Sequence, residues 1–142
     1  MTSREEGAAT PLLPGKGRAV IGVDDLEQNL LVLNGILNGA GYSFFGVRSG
    51  VECLRLVHRV APRLILLDIQ MPDMDGFETC RRLRGIQALR RVPILFLTVE
   101  RTPQALRAGL DAGANDFVVK PFDAAKLLER VNRWTARGIT RA

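Results

Sequence analysis

Apolar residues along this chain follow two rhythms in turn: short unbroken runs, and longer stretches in which they recur every three or four positions. Ala19–Val23, Ser43–Val47, Leu64–Leu67, Val92–Thr98 and Asp116–Lys120 carry the first rhythm. Short runs without strict alternation suit strands covered on both faces, as in a parallel sheet. Leu26, Leu30, Leu33 and Leu37 carry the second rhythm, and Gly39 to Gly41 stops that helix. Ser49 with Glu52 three residues on is a capping box, predicting a second helix with Leu54 and Val57 on its buried side. Phe77–Arg84 reads as a short third helix. Thr102-Pro103 reads as an N-cap followed by proline at the first helical position, opening a fourth helix to about Ala112 that Gly109 weakens. Asp123 caps a fifth, whose apolar stripe is Leu127, Val131 and Trp134. Five strand–helix repeats predict an α/β fold, a doubly wound five-stranded parallel sheet with helices on both faces.

The polar residues that matter sit where these strands end. The third run stops on Asp68, followed by Met71-Pro72 and Asp75-Gly76. Met71-Pro72 keeps the backbone extended, and Asp75-Gly76 turns it into the next helix. The first strand ends on Asp24-Asp25, the fourth on Thr98 and the fifth on Lys120. In a parallel sheet these ends share one edge, the edge where open α/β sheets place their ligands. Three carboxylates together repel unless neutralised. A hard divalent cation such as Mg²⁺, which takes oxygen ligands and keeps several waters, is a natural counterion, and one lysine can supply further positive charge.

Composition narrows the class. The chain has 142 residues, 46% hydrophobic and 25% charged, as expected of a soluble globular protein. A single domain at 18–136 is expected, with a flexible lead-in at 1–17 that holds Gly7, Pro11, Pro14, Gly15 and Gly17, and a C-terminal tail at 137–142. No window offers the ~20 apolar residues of a membrane span. The N-terminus lacks a secretory h-region, and the expected location is cytoplasmic. Cys53 and Cys80 have no metal-ligand spacing and read as reduced, part-buried thiols, with a redox pair as the alternative. The net charge of +5 raises the question of nucleic acid. The densest basic group, Arg81, Arg82, Arg84, Arg90 and Arg91, has no interleaved aromatics and reads as a solvated face, so direct nucleic-acid binding is not expected. His58, the only histidine, reads as a solvated residue and not a phosphodonor.

From about Arg18 to Trp134 the chain resembles the receiver domain of two-component response regulators, of the chemotaxis-regulator type. The matching residues are Asp24-Asp25, Leu66-Leu67-Asp68, Met71-Pro72, Asp75-Gly76, Thr98, Ala112-Gly113-Ala114-Asn115-Asp116 and Lys120-Pro121-Phe122. The resemblance implies a flavodoxin-like sheet of strand order 2-1-3-4-5. It implies that Asp68 is the phosphoacceptor, taking a phosphoryl group from a sensor histidine kinase or a histidine phosphotransfer protein in a phosphorelay. Asp25, Asp68 and the backbone carbonyl of Gln70 would ligate Mg²⁺, with Asp24 acting mostly through a metal-bound water. Lys120 would pair with Asp68, then with a phosphoryl oxygen. Thr98 would move inward to bond the phosphoryl group, and Phe117, the aromatic three positions before the lysine, would turn inward with it. The surface that changes would span residues 103–135, meeting a downstream protein or a second copy. Turnover of a small molecule is not expected, only Mg²⁺-dependent self-phosphorylation and autodephosphorylation.

Three positions should tune that chemistry. Val99 stands where the family usually has a small residue and should narrow the opening over Asp68. Gln70 and Glu100 flank the expected path of attacking water. Rival readings fit less well. A flavodoxin-like cofactor binder needs a phosphate loop where Asp24-Asp25 would repel phosphate, and a phosphatase of the haloacid dehalogenase type needs an acid where Gln70 stands. A receiver-like docking module that works without phosphorylation is the remaining alternative.

Overall fold

The computed structural model describes residues 17–99 and 101–140, the last four through their backbone. The lead-in expected at 1–17 thus lies, apart from Gly17, outside the described residues, as do Glu100 and residues 141–142. Strands β1 (Ala19–Val23), β2 (Ser43–Val47), β3 (Leu64–Asp68), β4 (Ile94–Thr98) and β5 (Asp116–Val119) alternate with helices α1 (Glu27–Gly39), α2 (Gly50–Leu56), α3 (Gly76–Arg84), α4 (Pro103–Ala112) and α5 (Ala124–Thr140). A short 3-10 turn, Gln87–Leu89, precedes β4. The strands pair in parallel in the order β2-β1-β3-β4-β5, as the resemblance implies.

Why these runs become central strands is plain from their burial: every residue of β3 and of β4 is buried. Successive side chains point to opposite faces. Ile65 and Leu67 join Cys53, Cys80, Leu83 and Phe96 in one core layer, against α2, α3 and α4. Leu64 and Leu66 join Leu30, Leu33, Leu37, Leu127 and Val131 in the other, against α1 and α5. Two packed layers on one sheet leave only the strand ends free to carry polar chemistry.

Most caps are as expected. The Ser49 hydroxyl accepts from Glu52 N at 3.1 Å, the Thr102 hydroxyl from Ala105 N at 3.1 Å, and Asp123 Oδ1 from Lys126 N at 3.1 Å. The Glu52 carboxylate reaches back one residue further than a capping box requires, accepting from Arg48 N at 2.9 Å.

Several expectations need correction. Leu26 is not on the buried stripe of α1: it precedes the helix and is 51% exposed, because its N–H is taken by Asp24 Oδ1 at 2.9 Å and the side chain faces out. Cys53 is the buried side chain of α2, while Leu54 and Val57 are only partly covered. β4 begins at Ile94 instead of Val92, since Pro93 has no N–H to pair. β5 ends at Val119, so Lys120 stands just beyond it. Helix α5 continues to Thr140, past position 136.

Arg84 is the largest correction. Arg81, Arg82, Arg90 and Arg91 are exposed as expected, but Arg84 is half-buried and holds two connections together. It donates to Leu89 O at 2.8 Å, Val92 O at 2.7 Å and Gly113 O at 2.9 Å, and to Asn115 Oδ1 at 2.8 Å. The same Asn115 oxygen accepts from Ile94 N at 2.9 Å, so a single guanidinium fixes where β4 begins and where β5 is entered.

Candidate active site

The parallel sheet brings four strand ends to one edge. β1 leaves the core at Val23, and the chain turns there because Asp24 N donates to Val47 O at 3.1 Å. Asp24 is fully buried. Its carboxylate accepts from Leu26 N at 2.9 Å and Asn29 Nδ2 at 3.1 Å, and from Lys120 Nζ at 3.1 Å. Asp68, the last residue of β3, accepts from Lys120 Nζ at 3.0 Å and from the backbone N–H of Gln70. One ammonium therefore bridges two buried carboxylates. Asp25 is partly exposed, and no bond to its carboxylate occurs among the described residues. Carboxylate oxygens of Asp24, Asp25 and Asp68 all lie within 4.8 Å of one another.

The charges of this group are poised unevenly. Burial holds the Asp68 carboxyl above its ordinary pKa, against the hydrogen bond from Lys120 and with the Asp24 charge adding to the rise. Burial alone would lower Lys120, but its hydrogen bonds to Asp68 and Asp24 win and raise it. Both shifts have one reading: two acids share a single cation, so the site holds an excess of negative charge. That is a donor set fitted to a divalent cation with oxygen ligands. Asp24 has its oxygens engaged by three donors, whereas Asp25 and Asp68 retain free lone pairs.

The loop after β3 is held close to Asp68. Gly76 N donates to Ile69 O at 2.7 Å, and a Cβ on Gly76 would lie 2.2 Å from Asp68 O. No other residue fits there. Asp75 caps α3, its Oδ1 accepting from Glu78 N at 2.9 Å, and Asp73 takes the left-handed backbone at φ 69°. Thr98 is buried at the end of β4 in register with Val119, which places it beside β5 and Lys120. The Lys120–Pro121 peptide is cis.

Of the tuning positions, Gln70 is exposed and Val99 is 66% exposed. Both border an open cleft of about 890 Å³ that includes Asp25, Asp68, Thr98 and Lys120. Glu100 is outside the described residues. Phe117 is part-buried, its ring 6.1 Å from that of Phe96. His58 is exposed, as expected. Both cysteines are free and buried in the core.

Sequence reasoning missed three participants. Asn29 looked like any polar helix residue, yet it holds Asp24. Gly109, read only as a weak point, is the notch that admits the Phe117 ring: a Cβ there would lie 2.7 Å from it. Asp116 accepts from Arg130 Nη1 at 2.8 Å and from Trp134 Nε1 at 2.9 Å, tying β5 to α5 one residue before Phe117. A second groove, of about 620 Å³, runs along α4, β5 and α5 past Leu106, Phe117, Val119 and Lys126. No helix among the described residues is long and apolar enough to cross a membrane.

Comparison with known proteins agrees with this geometry. The family described as the response regulator receiver domain matches residues 20–132. The chain is 35% identical over 116 residues to the response regulator PleD of Caulobacter vibrioides, covering 82% of this chain and 26% of that protein. It is 40% identical over 112 residues to the response regulator MprA of Mycobacterium leprae, covering 79% of this chain and 48% of that protein. The chain thus spans less than half the length of these relatives. Among solved structures, the chemotaxis protein CheY4 of Vibrio cholerae superimposes with TM-score 0.79 at 32% identity, over 81% of this chain and 96% of that one. The receiver domain of the sensor histidine kinase PA1611 of Pseudomonas aeruginosa, with a magnesium ion coordinated in its active-site cleft, does so with TM-score 0.78 at 32% identity, over 84% of this chain and 98% of that one.

Proposed function

The chain belongs to the response regulator receiver domain family, and from that premise we propose that it accepts a phosphoryl group on Asp68 from a phosphohistidine of a sensor kinase or phosphotransfer protein. The observation that carries this reading is the Lys120 ammonium held 3.1 Å from Asp24 and 3.0 Å from Asp68, beside a third carboxylate. Phosphoryl transfer needs positioning and charge neutralisation more than covalent assistance.

In this reading an Asp68 oxygen attacks phosphorus as the phosphorus–nitrogen bond of the donor breaks, and Lys120 turns from the carboxylate to a phosphoryl oxygen. Asp25, Asp68 and the Gln70 carbonyl are the candidate protein ligands of Mg²⁺, with Asp24 acting indirectly because its oxygens are already engaged. When bound, Mg²⁺ supplies the positive charge that the single lysine cannot. Gln70 and Val99, which border the cleft, line the approach of water and donor and set how fast the group arrives and leaves.

The phosphoryl group adds ~1.5–2 negative charges and three strong acceptors. Thr98 donates to it, and the space this opens is taken by Phe117, which has no hydroxyl and moves by packing alone. The readout is the α4–β5–α5 face at residues 103–135, where Leu110 and Val119 are 56% and 38% exposed. A downstream protein or a second copy docks there, in a cytoplasmic phosphorelay. Titration with beryllofluoride and Mg²⁺, followed by NMR at Thr98 and Phe117, tests the reading. Saturable shifts that vanish in Asp68→Asn support it; shifts that persist in that variant, or never appear, refute it.

A further inference from the structure

Asp24 and Asp25 are neighbours in the chain and carry the same acidic group, yet they are held in opposite ways. The Asp24 carboxylate is fully buried and straddled by the first turn of α1. Leu26 N donates to its Oδ1 at 2.9 Å, while the Asn29 side-chain amide and Lys120 Nζ both donate to its Oδ2, each at 3.1 Å. Asp25 is held through its backbone instead. The Arg48 guanidinium donates to its carbonyl from Nη2 at 3.0 Å and from Nε at 3.3 Å. The Asp25 carboxylate borders the open cleft together with Asp68 and Lys120, whereas Asp24 is not part of that wall.

The two donors on Asp24 Oδ2 differ in permanence. Lys120 is shared with Asp68 at 3.0 Å, and in the proposed transfer it turns to a phosphoryl oxygen. Asn29 is a neutral donor anchored in α1 and takes no part in that exchange. Only the NH₂ end of its amide can face a carboxylate, so its orientation is fixed. With Leu26 N on one oxygen and Asn29 on the other, the Asp24 carboxylate cannot rotate toward the cleft even when the lysine has left. Direct carboxylate ligands are thereby limited to Asp25 and Asp68. Mg²⁺ is usually bound through few carboxylates and keeps several waters, whereas Ca²⁺ takes more protein oxygens in a more flexible shell.

We propose that Asn29 is a positioning residue that keeps Asp24 an indirect ligand and so tilts the site toward Mg²⁺ over Ca²⁺. The inference rests on the reading of Asp25 and Asp68 as direct ligands of the cation. Asn29 itself touches neither cation nor phosphoryl group and acts through Asp24. Without its amide, Oδ2 has a lone pair to offer and the carboxylate is free to turn. A third carboxylate then joins the ligand set, and the larger ion gains more from it than the smaller one.

The test uses the unphosphorylated full chain and the metal ions alone. Aspartate carboxyl carbons are followed by NMR as Mg²⁺ or Ca²⁺ is added, and dissociation constants are taken from the same titrations, for the wild type, Asn29→Leu and Asn29→Ala. In the wild type both ions should shift the Asp25 and Asp68 carbons far more than that of Asp24. In the two variants the Asp24 carbon should shift as far as the others, and the proportion of the two constants should move toward Ca²⁺ by about tenfold, an effect typical of removing a ligand's hydrogen-bond partner. A purely structural role for Asn29 would weaken both ions together and leave the Asp24 carbon still. That result, or an unchanged proportion in the variants, overturns the inference while leaving the cation site in place. If neither ion shifts Asp25 or Asp68 in the wild type, the reading of the cation site fails and the inference falls with it.

Discussion

Gly109 of α4 and the ring of Phe117 on β5 are in direct contact: a Cβ on Gly109 would sit 2.7 and 2.9 Å from ring carbons of Phe117 and 3.1 Å from Phe96. The glycine that weakens α4 as a helix is thus what lets the aromatic ring lie beneath it.

Gly109→Ala should therefore destabilise the domain in spite of its better helix propensity. Overpacking costs ~1–3 kcal/mol, and the propensity gain returns ~1 kcal/mol, leaving a net loss of up to ~2 kcal/mol in urea unfolding. Phe117→Ala removes the clash, so the double variant should be more stable than the sum of the single changes requires. Additive losses would show that ring and notch are independent.

Lys120→Met leaves Asp24 and Asp68, with side chains 0% and 7% exposed, facing each other without their cation. Breaking a buried pair in this way costs ~3–5 kcal/mol. Removing the lysine hydrogen bond also removes what opposes the rise of the Asp68 pKa, so the folded variant holds its proton to higher pH than the unfolded chain does. The loss relative to wild type should be largest at pH 7 and shrink as the acid protonates on descent toward pH 4. Added Mg²⁺ should restore part of the stability at pH 7, measurable as a shift in the urea midpoint.

Arg84→Lys should behave as a serious change. A lysine supplies one charged point where the guanidinium fork meets five acceptors across two connections. A loss of ~2–3 kcal/mol is expected from carbonyls left without their charged donor. Hydrogen exchange should quicken first at Ile94 and Asn115, with the Asp68 end of the sheet unaffected.

Burial pushes the Cys53 thiol up to about 12 from its ordinary 9.0. The folded state keeps that proton more tightly than the unfolded state does. The associated stability is intact below about pH 9 and lost as pH rises toward 12. Burial raises Cys80 as well. Neither thiol should react with a disulfide reagent at pH 8 on the timescale on which both react in denaturant; rapid native labelling would show that α2 and α3 open readily.

What the amino-acid order determined by itself was local and periodic. Unbroken apolar runs name the strands because a doubly covered strand has no polar face, and Ser49, Thr102 and Asp123 mark helix starts because their side chains satisfy free N–H groups nearby. The acids, Thr98 and Lys120 were legible because a parallel sheet must bring all its strand ends to one edge. Contacts between residues distant in the chain had no such signal. Arg84 looked like one arginine of a basic surface until the chain around Leu89, Val92 and Gly113 enclosed it, and Leu26 matched a helical stripe that its own N–H bond to Asp24 prevents it from joining. Gly109 against Phe117 and Asn29 on Asp24 were decided by tertiary packing alone, because each is a distance in space between residues whose types are individually commonplace.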